Sequence, residues 1–367
     1  MNKILYLFSV ILIGLSLIAV ISCCEDDNNG KSPKWDIGEI PGTVFATFND
    51  GTLTISGSGK IKDFGYTVLE GTRPWYDVYE DITGFVVEGG EISFPTAFMR
   101  FHPNLMTVSM ERSGVTQLGL QLFADCVNLT SVTLPNSLKS IGWSTFANCK
   151  KLTSITIPEG VTSIGNNTFQ DCESLPSITI PNSVTRIDPR AFVRCTGLSS
   201  VIIGSGVTLI DREAFQDCTN LTDIVFQGSD SLKTIGLWAF ERCSSLASLT
   251  IPKVEYIANY AFWDCSSLTA ISIGSIVAIG QRVFLACSSL TSVELPASVT
   301  DIGYWAFQDC INLSSFTVHW ETPLSVTHLV FENVNTSAVT LYVPAGTKES
   351  YQSTPIWRDF NIVEKNN

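Results

Sequence analysis

Histidine is almost missing from this sequence: 367 residues contain three, His102, His319 and His328. There is no Cys-x-x-Cys pair, no His-Glu-x-x-His run and no glycine-rich phosphate loop. The usual frameworks for metal and nucleotide chemistry are therefore absent. Acidic pairs such as Asp211 and Glu213 are expected on solvated turns, and a general acid and base need a cleft that holds them together. The sequence predicts no catalytic residue, no metal site, no cofactor and no enzyme. Positive charge is also scarce, with 22 Lys and Arg against 35 Asp and Glu and a formal charge of −13. That balance excludes nucleic acid as an expected partner.

What is present begins with an address. Met-Asn-Lys is followed by a nearly unbroken apolar run, Ile4 to Ile21, without an acidic residue. A basic start and an apolar stretch of this length read as a secretory leader. The run ends Val20-Ile21-Ser22-Cys23, which resembles a bacterial lipobox, so residues 1–22 are expected to be removed and Cys23 acylated. Loss of Lys3 with the leader leaves 21 basic against 35 acidic residues, a charge of −14. Residues 23–32, with Glu25, Asp26 and Asp27, are too polar to fold and suit a tether. The acidic trio resembles a surface-export signal of Gram-negative anaerobes, which places the expected product on the outer membrane, lipid-anchored and facing outward.

Nine cysteines then mark a period: Cys126, Cys149, Cys172, Cys195, Cys218, Cys243, Cys265, Cys287 and Cys310, spaced 22 to 25 residues apart. A phenylalanine stands three positions before each, Phe123 through Phe307, and a leucine three after, Leu129 through Leu313. Self-similarity of this length signals a stacked repeat. In the unit Leu129 to Cys149, Val132 and Leu134 alternate with Ser131 and Thr133, as in a strand with one buried face. Leu138, Ile141 and Phe146 are expected to point inward from a return leg, after Pro135 ends the strand and Gly142 permits a bend. Nine cysteines in register at one inward position form a ladder of parallel side chains, whereas a disulfide needs converging ones. They are expected to be small buried hydrophobes.

The unit Leu-x-x-Ile-x-Ile-Pro-x-x-Val-x-x-Ile-Gly-x-x-Ala-Phe-x-x-Cys resembles the BspA-like leucine-rich repeat of bacterial surface lipoproteins. Gly51 to Gly59 with Arg73-Pro-Trp-Tyr76 is similar to the segment preceding such repeats, and Leu341 to Gly346 through Tyr351, Trp357 and Phe360 to their ending. The resemblance implies a mainly β, right-handed leucine-rich-repeat solenoid of about nine 22–25-residue repeats. It is bounded by an N-terminal β cap at 33–95 and a C-terminal cap at 316–367, with the solenoid at 96–315. Caps are required because a solenoid otherwise ends in open strand edges. Ile92 to Leu105 reads as a degenerate first repeat, with Phe101 in the cysteine position.

Two surfaces are candidates for binding. Outward strand positions carry a Ser/Thr ladder, from Ser131 and Thr133 to Ser315 and Thr317, which equally suits strand propensity on a wet face. On the return leg, the two positions after each Gly-like residue vary and hold large aromatics. The candidate ligand-binding residues are Trp143, Trp238, Tyr260, Trp263, Tyr304 and Trp305. At one-repeat spacing the later five form a strip that stacks on sugar rings, anchors a protein, or packs across neighbouring repeats. Asp230-Ser231-Leu232 resembles a short O-glycosylation acceptor. The family resemblance implies an adhesin for a host matrix protein or glycan. The alternative is a structural or accessory lipoprotein that binds another envelope component.

Overall fold

The computed structural model describes residues 32–65, 73–228 and 231–365. The leader, Cys23 and the tether up to residue 31 lie outside the described residues. The chain forms a mainly β solenoid of about 12 stacked turns, more than the nine that the cysteine count implies. The difference arises at both ends, where coils continue the stack without the Phe-x-x-Cys signature.

The stack starts at β1 (Lys34–Asp36), β2 (Val44–Asn49) and β3 (Thr52–Lys60), joined as an antiparallel meander. A two-residue turn, Asp50-Gly51, joins β2 to β3 with both residues at positive φ, 45° and 74°. Asp-Gly suits this turn because its twist matches that of the flanking strands. β4 (Gly84–Ser93) pairs parallel with β3, and from there every neighbour on this side is parallel. The meander thus shields the first coil and converts an open edge into a hairpin.

Each repeat then has three legs, and each leg carries its own backbone ladder along the axis. The first is the predicted strand, seen at Ser131–Thr133, Ser177–Ile180, Ser200–Ile203 and onward to Ser315–Val318. Val132, Leu134, Leu138, Ile141 and Phe146 are all buried, so the alternation places the core correctly. This ribbon is interrupted twice, into seven, three and six strands. The first interruption falls at Pro176, which stands where Thr153 and Ser199 donate an N–H to the previous coil. Proline has no N–H to give. The second falls beside the longest repeat, Cys218 to Cys243.

The second leg is an unbroken parallel ladder of nine two-residue strands, from Gln117–Leu118 to Asp301–Ile302. The third leg holds the Phe-x-x-Cys segment and has no regular strand. There the N–H groups five, three and one residues before each cysteine donate to the following coil: Arg190 to Arg212, Phe192 to Ala214 and Arg194 to Gln216, at 2.7 to 3.0 Å. The residues five and one before each cysteine adopt positive φ, such as Arg190 at 59° and Arg194 at 57°. This alternation aims three donors in a row along the axis. It repeats in all nine cysteine coils.

The core follows the axis. Phe123 to Phe307 stack face to face with centroids 5.0 to 5.6 Å apart and planes within 14°, and Phe331 extends the column at 5.8 Å. Beside them the nine cysteines are free and buried. Each thiol donates to the carbonyl of a residue in the preceding coil, as Cys195 Sγ does to Phe169 O at 3.0 Å. Burial pushes the Cys126 thiol up to about 12 and raises the others as well, so the ladder carries no thiolate near neutrality.

One expectation is corrected here. The cysteine column is continued toward the N-terminus by His102, not Phe101. Ala97 and Phe101 take the two positive-φ positions, at 58° and 65°, and His102 is fully buried with Nδ1 2.9 Å from Met99 O. Phe101 points outward, half exposed. Backbone register, and not side-chain size, selects which position faces the core. Burial, and then the charge of Arg73, lower the His102 pKa to about 3.

At the far end, parallel strands Thr340–Pro344 and Asn361–Lys365 continue the ribbon. Phe316, Trp357 and Phe360 close on Phe331 largely edge-on, Trp357 donating Nε1 to Leu324 O at 2.6 Å. The final strand ends in Glu364 and Lys365, charges that oppose edge-to-edge pairing.

Candidate binding surface

The third leg turns most side chains outward at positions six, five, two and one before each cysteine, while Ala124, Val193, Glu213 and Glu241 at these positions are buried. Along the axis this surface changes character in blocks. Early coils carry small polar residues at the five-before position, Gln121, Ser144 and Asn167. The middle coils are charged and internally neutralised. Arg194 forks onto Asp171 with both contacts at 2.6 to 2.7 Å, and Arg242 onto Asp217 at 2.6 to 2.9 Å. Arg190 and Arg212 both hold Glu213. Glu213 was expected on a solvated turn and is instead only 7% exposed, because the two guanidiniums and the leg itself cover it. Asp211 does remain more open and takes Arg186 at 3.2 Å.

The last four cysteine coils carry the aromatics. Trp238, Tyr260, Arg282 and Trp305 occupy the same position in successive coils, and the backbone N–H of each of the first three donates to the residue just before the next: Trp238 to Asn259 O, Tyr260 to Gln281 O and Arg282 to Tyr304 O. Trp238 and Tyr260 have centroids 5.8 Å apart, and Trp263, from the two-before position, lies 5.6 Å from Tyr260. Tyr304 meets Trp305 edge-on at 5.9 Å. Arg282 joins the two halves: its guanidinium carbon sits 4.1 Å from the Trp305 ring centroid and 5.4 Å from that of Tyr260, and Nη1 donates to the Tyr260 hydroxyl at 2.7 Å. The five aromatics and one arginine thus form one connected strip across four coils, roughly 15 Å at about 4.8 Å per coil step.

Trp143 stands apart. It is 58% exposed, lies against Gly165 of the next coil and is four coils from Trp238. Its Cδ1 would be 3.1 Å from any Cβ at Gly165, so the missing side chain there makes room for the ring. Tyr304 is 47% exposed, while Trp238, Tyr260, Trp263, Arg282 and Trp305 are half-buried. The strip therefore packs partly across its own coils and partly faces solvent.

Backbone geometry gives this strip added weight. Trp238, Tyr260, Arg282 and Trp305 have φ of 57°, 60°, 56° and 63°. Asn and Asp adopt the left-handed region readily and large aromatics do not. Early coils fill the position with small or amide side chains, so aromatic rings there are not a requirement of the fold.

Elsewhere the chemistry is quiet. An open dent of about 440 Å³ lies under the C-terminal cap, lined by Val299, His319, Trp320, Glu321 and Thr322 among others. His319 Nε2 lies 2.9 Å from Glu294 Oε1 at its rim, both side chains half exposed. Among the described residues no group of three His, Cys, Asp or Glu side chains gathers in a metal-binding arrangement. The Ser/Thr ladder of the first leg is exposed at Thr133, Ser154, Ser177 and Thr179. A second, unanticipated ladder lies just before it: Thr130, Thr153, Ser199, Thr222, Thr269, Thr291 and Ser314 each donate a hydroxyl to a carbonyl of the preceding coil. Those hydroxyls are structural. Leu232 of the short acceptor-like motif is a core residue, and Asp230 lies outside the described residues.

A family model described as the BspA type leucine rich repeat region matches residues 95–222 and 208–337, well over half of the chain. The chain belongs to the BspA-type leucine-rich repeat family. BspA-type solenoids are repeat scaffolds for interaction, and they are typically not catalysts. Among solved structures, the chain is similar to a leucine-rich repeat protein from Eubacterium ventriosum, at 20% identity over 84% of this chain and 95% of that one, with a TM-score of 0.45. It is similar also to one from Bacteroides ovatus, at 19% identity over 88% and 98% with a TM-score of 0.41. A leucine rich cell surface protein from Faecalibacterium prausnitzii gives 24% identity over 92% and 96%, with a TM-score of 0.39. No curated protein matches the sequence.

The BspA-type consensus accounts for the buried columns and leaves the strip to this chain. In the sequence Arg282 is one of several variable positions and carries no aromatic signal. The signal that finds it is a column comparison: Arg190 is followed one coil on by Glu213, whereas Arg282 is followed by Trp305.

Proposed function

We propose that this chain is a non-enzymatic adhesin of the bacterial surface, which holds an extracellular host protein or glycan on the third leg of its solenoid. The observation that carries this reading is the connected strip Trp238, Tyr260, Trp263, Arg282, Tyr304 and Trp305. Tryptophan, tyrosine and arginine are the residues that most often dominate binding energy when placed together at an interface. Half-burial holds the rings in place, so little conformational entropy is lost when a partner lands on them. In this reading residues 1–22 are the leader, acylated Cys23 anchors the chain to the outer membrane, and residues 23–32 act as a tether. Residues 33–95 and 316–367 cap the solenoid between them.

The test has two arms. Intact cells are shaved with protease and blotted beside a periplasmic control and a Cys23→Ala variant. Separately, purified protein and a Trp238→Ala/Tyr260→Ala/Trp305→Ala variant are applied to immobilised host matrix proteins and glycans. Digestion on intact cells, together with binding that the triple variant loses, supports the adhesin. Protection until the outer membrane is broken, or co-purification with an envelope partner in place of host binding, assigns the chain to the envelope instead.

A further inference from the structure

We propose that Arg282 is an anion anchor, and that the partner segment lying on the strip is an extended acidic peptide: an Asp or Glu flanked by apolar side chains. This rests on the reading of the strip as the binding surface and adds the chemistry of its occupant.

The other arginines of the same leg are paired. Arg100, Arg190, Arg194, Arg212 and Arg242 each hold a carboxylate within 3.2 Å. Arg282 holds none among the described residues, although the chain has 35 acidic residues and a formal charge of −13. The comparison with Arg190 is the closest, since both stand five residues before a cysteine. There, the equivalent residue one coil on is Glu213, which pairs with it; beyond Arg282 the equivalent residue is Trp305, which stacks on it instead. Among the described residues no carboxylate completes this arrangement.

The guanidinium is also held in place. Trp305 and Tyr260 flank it, and Nη1 is fixed by the Tyr260 hydroxyl. An arginine stacked on aromatics keeps its planar fork of donors, which fits a carboxylate edge-on. Preorganisation of this kind reduces what binding costs in lost side-chain freedom.

Ring geometry favours a peptide over an acidic sugar chain. Neighbouring rings are tilted by 35°, 54° and 72°, so they form notches and not a flat platform for successive sugar faces. Notches between tilted rings accept single apolar side chains. An extended peptide places alternate side chains on one face, so a carboxylate on Arg282 sets its apolar neighbours over the Trp238–Tyr260 and Trp305–Tyr304 notches. Side-chain amides at Gln281 and Gln308 border the strip and offer partners to peptide backbone groups, while Asn259 Oδ1 already accepts the Gln281 N–H at 2.8 Å.

The test is selection of a random-peptide library on the full mature protein and on Arg282→Gln, with sialylated and uronate-bearing glycans as parallel probes. The expected result is enrichment on wild type of peptides with one Asp or Glu beside apolar residues. Changing that acid to its amide weakens binding roughly 10- to 100-fold, the loss expected for one charge-assisted pair. Arg282→Gln causes the same loss and no longer distinguishes acid from amide, while its unchanged melting curve shows that it is folded. Enriched peptides without a carboxylate, equal binding by Arg282→Gln, or capture of the acidic glycans in place of peptides would each overturn the proposal. Trp238→Ala separates the two readings. If it removes binding while Arg282→Gln leaves the acid preference intact, the strip stands and the anchor falls; if neither variant affects binding of the whole partner, the strip falls too.

Discussion

The third leg stores backbone strain twice in every cysteine coil, and Ala286 is the place to measure it. Ala286 stands one residue before Cys287 with φ at 60°, half-buried and without any polar side-chain contact to lose. For an L-residue the left-handed conformation costs roughly 1–2 kcal/mol, and glycine is spared that cost. Ala286→Gly therefore gains about 1–2 kcal/mol in the folded state. Against this stands about 0.5–1 kcal/mol of added unfolded-chain freedom. Loss of a half-buried methyl removes about 0.4 kcal/mol more. The net is close to zero or slightly stabilising. Ala147 is the control: it lies two before Cys149 on the same leg, is half-buried, and is absent from the positive-φ positions. Ala147→Gly has nothing to relieve and should destabilise by about 1–1.5 kcal/mol, the sum of the last two costs. The informative quantity is the difference between the two variants, about 1–2 kcal/mol, because everything but the strain cancels. Urea unfolding of both proteins, with m-values compared to confirm a common transition, supplies it. Equal destabilisation by the two substitutions would refute the strain account and mean that the solenoid holds these residues at no cost.

Three further expectations follow from the core. Phe215 is stacked at 5.0 and 5.1 Å on Phe192 and Phe240; Phe215→Ala should cost about 3–5 kcal/mol and, because coils contact only their neighbours, raise amide exchange mainly in the coils beside it. The nine ladder thiols should resist alkylation in native protein from pH 6 to 9 and all react once it is unfolded, so rapid labelling of any one in the native state would contradict the burial described. His102 is held neutral, with its pKa lowered to about 3 from 6.5. The unfolded chain therefore binds a proton that the folded chain does not, and stability falls as pH drops from 6.5 toward 3, by up to about 1.4 kcal/mol per pH unit. His102→Cys, which restores the column's common residue, should flatten that part of the stability profile whatever its effect at neutral pH. An unchanged slope would show that His102 is not the group responsible.

Much of this protein is written in its sequence, because a repeat states the same instruction many times. The spacing of nine cysteines, with Phe three before and Leu three after, signals a stacked repeat, and the alternation within its unit places Val132, Leu134, Ile141 and Phe146 in the core. An inward position recurs at fixed spacing because each coil must bury the same column on its neighbour. The coils that lack the signature were not legible in the same way: His102 continues the cysteine column, and Phe331 the phenylalanine column, only by virtue of backbone register. Asp or Asn precedes Cys126, Cys149, Cys172, Cys218, Cys265 and Cys310, a hint of the positive-φ position that periodicity in hydrophobic residues does not detect. The surface depended most on tertiary structure. The sequence places Trp238, Tyr260, Trp263, Tyr304 and Trp305 about one repeat apart, but the same spacing describes rings that pack together and rings that do not. Stacking of coils brought Arg282 between Tyr260 and Trp305, left Trp143 alone and turned Glu213 inward beneath two arginines. Burial is a property that every coil repeats, so one sequence can announce it. Pairing across the surface depends on which side chains happen to be neighbours along the axis, and only the folded stack decides that.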